Sequence, residues 1–489
     1  MWAGRWVPIT CYTNKRCPCS DKQKGNLRVL LINPPYRSQI IRRYVCSYNA
    51  PNFLFPPLEL MYLSAQAKLV DGCEVLLLDC IAEKLGPEEA RARAKAFDPE
   101  VVLSIMAIEF FDNDVEFLGA LKRALPQALV GCFGHLPSNY AEVTMAATGT
   151  DYVLVGEPDL AFGALLKRRA DGGEVVGTGV AVLDVNGFTG AEYQRNPSLD
   201  ELPYADQSAI DHSRYGEPFF GRPYTTFLSS RGCPFPCAYC VRTYGRKFVM
   251  APAEHVVGEV SAAVERFGIK YFRFMDDTFT ASRRRVLEIC EGLKDLGVPI
   301  QWSCLVRPNT IDGEVAAALK SAGCTRVYVG IESGSQKVID YLKRGYQLEQ
   351  VMDNLRQVRD SGLEMVGWFI VGSPVETRED FEMSLKLARE LKLEFIAVST
   401  LVPYPNTELY ELEQQNIDFS LLPYVCQFKN QSGTEREAEF YRRYYLRPGY
   451  VVRKFNSLAR HPGETLKASK DFLRYAVASR RDPNRKDLL

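Results

Sequence analysis

Short apolar runs alternate with longer amphipathic segments over most of this chain. Residues 28–33, 73–79, 101–105, 128–131 and 152–156 are continuous apolar stretches, the pattern of strands buried on both faces. Residues 58–70, 87–97 and 114–125 carry helical periodicity between them. Strands alternating with helices predict a parallel sheet covered on both sides, so residues 27–170 read as a doubly wound α/β domain. Turn residues dominate 171–222 (Gly172-Gly173, Gly187, Gly190, Asn196-Pro197, Leu202-Pro203), and this stretch reads as a linker with one short hairpin near 180–183. A second alternating series follows. Strands are predicted near 224–230, 270–274, 300–304, 326–330, 365–370 and 395–399, with helices near 254–267, 283–296, 313–321, 347–361 and 378–391. Six strand–helix units make residues 223–412 a partial (β/α)6 barrel, whose chemistry belongs at the carboxyl ends of its strands. Residues 413–489 read as a small, mainly helical region, and residues 1–26 as an irregular leader.

Composition narrows the classes. The chain has 489 residues, 46% hydrophobic and 25% charged, which fits a multidomain globular protein. Its formal net charge is zero, so no global basic field argues for nucleic acid. No apolar run reaches the length of a membrane span, and the first residues lack the apolar core of a signal peptide. Fourteen cysteines in a chain of this length suit a reducing cytoplasm better than a disulfide framework. Cys11, Cys17 and Cys19 lie close together without a His; they either bind metal or belong to the irregular leader.

The stretch that carries chemistry is Arg231-Gly232-Cys233-Pro234-Phe235-Pro236-Cys237-Ala238-Tyr239-Cys240. Cys233, Cys237 and Cys240 are spaced Cys-x3-Cys-x2-Cys in a loop at the end of the first barrel strand. Three thiolates can each bind one iron of a cubic 4Fe–4S cluster, leaving the fourth iron open for an outside ligand. The other reading is a structural zinc site or unrelated thiols, but zinc wants a fourth protein ligand and none lies nearby. Further unusual residues fall at barrel strand ends: Asp276 and Asp277, Arg307, Glu332, Gly372, and Arg344 twelve residues beyond Glu332. An Asp at such a junction can also cap the following helix, and an Arg can be a solvated surface charge. In the N-terminal domain the first strand ends in Asn33-Pro34-Pro35, which lacks the glycine pattern of a dinucleotide site. Gly131 and Gly134 at a later strand end would let a flat, bulky ligand approach the backbone. His135 either lines that ligand or bonds to nearby backbone.

The cysteine loop resembles that of radical S-adenosylmethionine (SAM) enzymes, and the domain ahead of it resembles the cobalamin-binding domain of one large subclass. The resemblance runs over almost the whole chain from residue 27. It is most specific at the cysteines, good at Glu332 and Arg344, and weaker in the N-terminal domain. It implies a 4Fe–4S cluster on Cys233, Cys237 and Cys240 whose open iron chelates SAM. It implies Asp276 or Asp277 at the SAM amino group, Glu332 at its ribose or methionine part and Arg344 at its carboxylate. Tyr239 and the Gly372 segment fall near the adenine, and Arg307 belongs to the same rim. Asn406 stands where relatives carry Gly. Asn33, Gly131, Gly134, His135 and Gly156 would line a cobalamin. The Asp-x-His-x-x-Gly motif that gives cobalt an imidazole elsewhere is absent, so cobalamin would bind without a His ligand.

The implied chemistry is reductive cleavage of SAM to a 5′-deoxyadenosyl radical, with electrons from an external donor such as flavodoxin or ferredoxin. Cobalamin-dependent C-methylation of a small molecule (a natural product, lipid or tetrapyrrole) is the first expectation. Radical dehydration, ring closure or ring contraction without methyl transfer is the second. Two further readings rank below these. A methylthiolating tRNA enzyme would need a second cysteine triad, and Cys46, Cys73, Cys80 and Cys132 form none. A non-catalytic iron–sulfur scaffold would bind without cleaving SAM. Interleaved aromatics and arginines at 440–447 either contact nucleic acid or pack a C-terminal helix on the barrel.

Overall fold

The computed structural model describes residues 27–450 apart from 45–46, 50–52, 174–176, 185–186, 219, 242–243, 419–426 and 430–432. Cys11, Cys17, Cys19, Cys46, Cys426 and the chain beyond 450 lie outside the described residues. The N-terminal unit opens with β1 (Leu27–Asn33), a small hairpin of β2 (Ile40–Arg42) and β3 (Ser47–Asn49), and helix α1 (Leu58–Lys68). Then come β4 (Cys73–Asp79), α2 (Pro87–Phe97), β5 (Val101–Ile105), α3 (Phe111–Ala124) and β6 (Leu129–Phe133). Short helices α4 (His135–Asn139) and α5 (Ala141–Thr148) lead to β7 (Tyr152–Leu154) and α6 (Pro158–Ala170).

The sheet order is β4-β1-β5-β6-β7, all parallel. The period of two along β1 decides the layers. Val29 and Leu31 pack with Leu60 and Leu63 of α1 and Phe162 of α6. Leu30 and Ile32 pack with Ala90 of α2 and Phe117 of α3 on the opposite face. The hairpin predicted near 180–183 is β8 (Val180–Asp184) and β9 (Gly187–Thr189), and it joins this sheet antiparallel beside β7. It therefore extends the N-terminal sheet, covering an edge that β7 would otherwise expose.

The second unit begins with β10 (Tyr224–Phe227), followed by the two-residue pair β11 (Ser230–Arg231) and β12 (Val249–Met250). Five helix–strand steps follow: α7 (Ala253–Phe267) to β13 (Tyr271–Phe274), α8 (Arg283–Asp295) to β14 (Gln301–Val306), and α9 (Gly313–Ser321) to β15 (Cys324–Glu332). Then α10 (Gln336–Tyr341) and α11 (Leu348–Asp360) precede β16 (Glu364–Val371), and α12 (Arg378–Glu390) precedes β17 (Phe395–Thr400). The order β10-β13-β14-β15-β16-β17 is parallel throughout and stays open, as six units require. Local signals set the helix ends. Pro252 precedes α7 and Gly268 closes it in the left-handed region (φ +66°), while Thr377 and Asp380 form a capping box on α12. Phe272, Phe274, Trp302, Val327 and Val329 point outward into one core with these helices. The inside is polar at its base. Glu217, from the segment before β10, takes hydrogen bonds from Tyr224 (2.9 Å) and Ser303 (2.9 Å) and pairs with Arg326 (3.2 Å).

An open barrel has two edges, and both are covered. Beside β10, Thr225 donates to Gln207 (2.7 Å), and the ring of Phe55 stacks on Tyr224. Beside β17 lies α14 (Gly433–Tyr445), after the short α13 (Glu408–Leu412). Its Tyr441 and Tyr445 hydroxyls accept from the edge amides of Val398 and Ile396, each at 2.9 Å. Arg443 is paired with Glu382 and Glu439. The aromatic stripe thus packs α14 on the barrel edge, the second of the two readings of these residues.

Candidate active site

The cysteine loop leaves β11 through Gly232, whose backbone is left-handed (φ +80°) and whose Cβ would meet the Lys247 carbonyl at 2.2 Å. Only Gly fits there. The loop is pinned by Cys233 N–H to Gly245 O (3.1 Å) and Ala238 N–H to Leu342 O (3.0 Å). Cys237 is buried, and Cys233 and Cys240 are half-buried. Burial pushes the Cys233 thiol up. Among the described residues no three His, Cys, Asp or Glu side chains converge tightly enough to hold a single metal ion. A 4Fe–4S cluster has a different requirement, since each thiolate binds a different iron.

Two arginines converge on Cys237. Arg307 Nη1 donates to its Sγ at 3.1 Å, and Arg344 Nη1 at 3.3 Å. The Arg307 guanidinium carbon lies over the Phe235 ring, 3.9 Å from its centroid. Arg344 is buried, pairs with Glu332 (3.3 Å) and reaches the Tyr239 hydroxyl (3.3 Å). Burial works against its charge, but Tyr239 and Glu332 hold it protonated. Its Nε–H is buried without a partner, so the fork still has a donor for an outside acceptor. Glu332 ends β15 at a register shift with φ +67°, a conformation that costs a non-Gly residue energy and marks many functional sites. Gly372 directly follows β16, also left-handed, and its N–H donates to Glu376 (2.8 Å). Asn406 is left-handed too (φ +64°).

The two adjacent acids divide. Asp276 faces back into the strands, accepting from Ser229 N–H (3.1 Å), Ser229 Oγ (2.7 Å) and Ser230 Oγ. That carboxylate is spent on the fold. Asp277 keeps a buried oxygen, Oδ2, without a partner, and burial pushes its carboxyl up to about 6. Asp277 is thus the acid available to a bound cation.

The N-terminal candidates behave differently from the expectation. Asn33 is held by Asp79 (2.8 Å) and Arg42 (3.1 Å), and Arg42 forms a buried ion pair with Asp114 (2.6 Å). A Cβ on Gly131 would strike the Tyr152 ring at 2.3 Å. One on Gly134 would strike the Met106 carbonyl at 2.4 Å, and one on Gly156 the Gln194 carbonyl at 2.3 Å. On the side where a Cβ would stand, close packing within the chain by itself requires glycine at all three positions. His135 starts α4 with both ring nitrogens 3.4 Å from Asn139 Nδ2, and burial pushes its imidazole down to about 4.

Sequence reasoning missed the seam between the units. Arg231 is buried and donates to Glu157 (2.8 Å) and to Asp159 (2.6 and 3.2 Å) at the start of α6. Tyr404, after β17, donates to Glu109, after β5, at 3.3 Å. The carboxyl ends of the two sheets therefore face each other, with the cysteine loop at their junction. Glu59 lies on the same side of the N-terminal unit, paired with Arg43 (2.7 Å), and its buried Oε2 has no partner. A spare buried carboxylate oxygen fits a ligand rich in amide donors, as the rim of a corrin is.

Comparison with known proteins agrees with this geometry. Residues 227–388 match the family model described as the Radical SAM superfamily. An uncharacterized methyltransferase of Pyrococcus horikoshii is 30% identical over 391 residues, covering 79% of this chain and 83% of its own. The anaerobic magnesium-protoporphyrin IX monomethyl ester cyclase of Rubrivivax gelatinosus is 24% identical, covering 79% of this chain and 70% of its own. The solved structure of OxsB, a cobalamin-dependent S-adenosylmethionine radical enzyme with aqua-cobalamin and S-adenosylmethionine bound, matches at TM-score 0.70. That match covers 93% of this chain and 72% of OxsB at 15% identity, a likeness of fold. The chain belongs to the radical SAM superfamily and is a radical SAM enzyme, a class that carries a 4Fe–4S cluster and binds SAM. Within it, the parallel sheet ahead of the barrel is part of the fold shared with the OxsB structure.

Proposed function

We propose that this enzyme transfers a methyl group from SAM to an unactivated carbon of a small molecule, using cobalamin held between its two units. The observation that carries the reading is that the carboxyl ends of both sheets face one another across the cysteine loop. On this reading Cys233, Cys237 and Cys240 bind the cluster. Arg344 takes the SAM carboxylate through its unpartnered Nε–H, and Asp277 takes the amino group. Tyr239, partly buried against Ile370 and Leu401, flanks the adenine beside Gly372. Arg307 and Arg344 also donate to a cluster sulfur, and such bonds tune reduction potential. Cobalamin, when bound, supplies a methyl group and accepts another from SAM. The chain's own part is to orient the two cofactors and exclude water. Glu59 holds an amide of the corrin rim. No helix among the described residues is long and apolar enough to cross a membrane. The reading places the enzyme in the cytoplasm with a flavodoxin- or ferredoxin-like donor.

The name of the Pyrococcus relative supports methyl transfer. That of the Rubrivivax relative favours a second reading, radical ring closure on the same scaffold. The test is cofactor content. Protein reconstituted with iron, sulfide and hydroxocobalamin and then gel-filtered should retain both chromophores in its visible spectrum. The variant with Cys233, Cys237 and Cys240 all replaced by Ala should lose the iron and keep the cobalamin. Loss of cobalamin from wild-type protein would move the function to ring closure.

A further inference from the structure

The reading above gives the buried ion triad at the seam no part beyond joining the two units. We propose that Arg231 is a positioning residue: forked onto Asp159 and Glu157, it seats the cysteine loop against the N-terminal unit and so sets where the open iron faces. The proposal rests on the reading of Cys233, Cys237 and Cys240 as cluster ligands.

Three features connect the side chain to the cluster. Arg231 is two residues before Cys233, and its backbone pairs with Val249 in the β11–β12 ladder. Gly232, between them, runs so close to the Lys247 carbonyl that a Cβ would lie 2.2 Å from its oxygen. A displacement of the guanidinium reaches Cys233 through this single residue. On the other side, Glu157 and Asp159 open α6 directly after β7, so they are fixed to the rim of the N-terminal sheet. Asn196 donates to Asp159 Oδ2 at 2.9 Å and gives that carboxylate a further anchor. Tyr244, whose ring centroid is 4.9 Å from the guanidinium, and Tyr62, at 5.8 Å, close the site.

The charges are divided unevenly. Burial opposes ionisation of both acids. The two-bond fork nevertheless holds Asp159 below its ordinary range, whereas Glu157, with one bond, is pushed up. Adhesion alone would not call for this arrangement, since apolar side chains of similar volume hold two surfaces together as well or better. What a guanidinium fork adds is direction, because it meets a carboxylate edge-on in one geometry.

The experiment compares wild type with Arg231→Lys, Arg231→Met and the apolar triple variant Arg231→Met/Glu157→Leu/Asp159→Leu. Iron content, melting temperature, the electron paramagnetic resonance (EPR) spectrum of the reduced cluster with and without SAM, and the rate of 5′-deoxyadenosine formation are measured. Iron should stay at the wild-type level in all. Arg231→Met and the triple variant should give a broadened, altered spectrum on adding SAM and slower cleavage; a misplacement of about 1 Å can cost about a hundredfold in rate. Arg231→Lys should fall between. The triple variant should regain the melting temperature without regaining the spectrum, and it decides the matter if Arg231→Met does not fold. A triple variant with wild-type spectrum and rate would overturn the proposal and leave Arg231 as structural filling. Wild-type protein that binds no iron would overturn the cysteine reading, and this proposal with it.

Discussion

Arg344 donates from one nitrogen to the sulfur of Cys237 at 3.3 Å, while its Nε–H, also buried, has no partner. One side chain thus touches a proposed cluster ligand and still has a donor for the SAM carboxylate. Arg344→Ala should keep its iron and lose SAM affinity by about ten- to a hundredfold, the range for about 1.5–3 kcal/mol from a charged hydrogen bond. Arg344→Lys keeps charge without the fork and should fall between. Calorimetric titration with SAM checks this; unchanged affinity in Arg344→Ala would make the residue part of the fold alone.

Glu259 on α7 gives a pH dependence. It is buried at the junction of the units, accepting from Tyr62 (3.2 Å) and from Ala205 N–H (2.8 Å). Burial raises its carboxyl from 4.5 to about 7. The folded chain therefore holds this proton more tightly than the unfolded chain. Its contribution to stability is complete below about pH 4.5 and is lost as pH rises through about 7, a swing of about 3 kcal/mol. Glu259→Gln should flatten that part of the stability profile and be the more stable protein at pH 8. Denaturant titrations at several pH values would show it, and an unchanged slope would contradict it.

The seal on the open barrel edge is testable through two hydroxyls. Tyr441→Phe and Tyr445→Phe each leave an edge amide of β17 without its partner, at about 1–3 kcal/mol apiece. The double variant should melt lower and aggregate sooner, because an uncovered strand edge templates pairing. Light scattering during a thermal ramp reads both effects; wild-type behaviour would mean that water serves these amides equally well.

His135 is predicted not to ligate cobalt. It lies against Asn139, and no motif presents it as a ligand. His135→Ala should leave the electron paramagnetic resonance spectrum of the cob(II)alamin-loaded protein unchanged. Nitrogen hyperfine splitting that vanishes in the variant would refute this.

The barrel was legible because its signals are local. The apolar runs at 270–274 and 300–304 mark β13 and β14, and cysteine spacing marks the loop without any long-range knowledge. Arg344 was legible only through a family pattern. Nothing local distinguishes it from a surface arginine until β15 and the loop are folded around it. Asp276 and Asp277 could not be told apart in sequence, because the serines that occupy Asp276 lie 46 and 47 positions away. Arg231 was passed over for the same reason, its acids being 72 and 74 positions distant. The glycines were ambiguous in sequence. Gly131 was read as room for a ligand, and on its Cβ side the ring of Tyr152 comes close from the neighbouring strand. A glycine in sequence reports that something comes close, not what it is.

The central claim is that SAM and cobalamin meet at the seam between the two units. The most direct measurement needs no substrate. Protein reconstituted with cluster and hydroxocobalamin is chemically reduced, incubated with SAM labelled in its methyl group, and gel-filtered. The account predicts label on the protein-bound cobalamin at close to one equivalent per chain. Cobalamin that stays bound but unlabelled, while 5′-deoxyadenosine accumulates, would contradict methyl transfer and leave ring closure as the function.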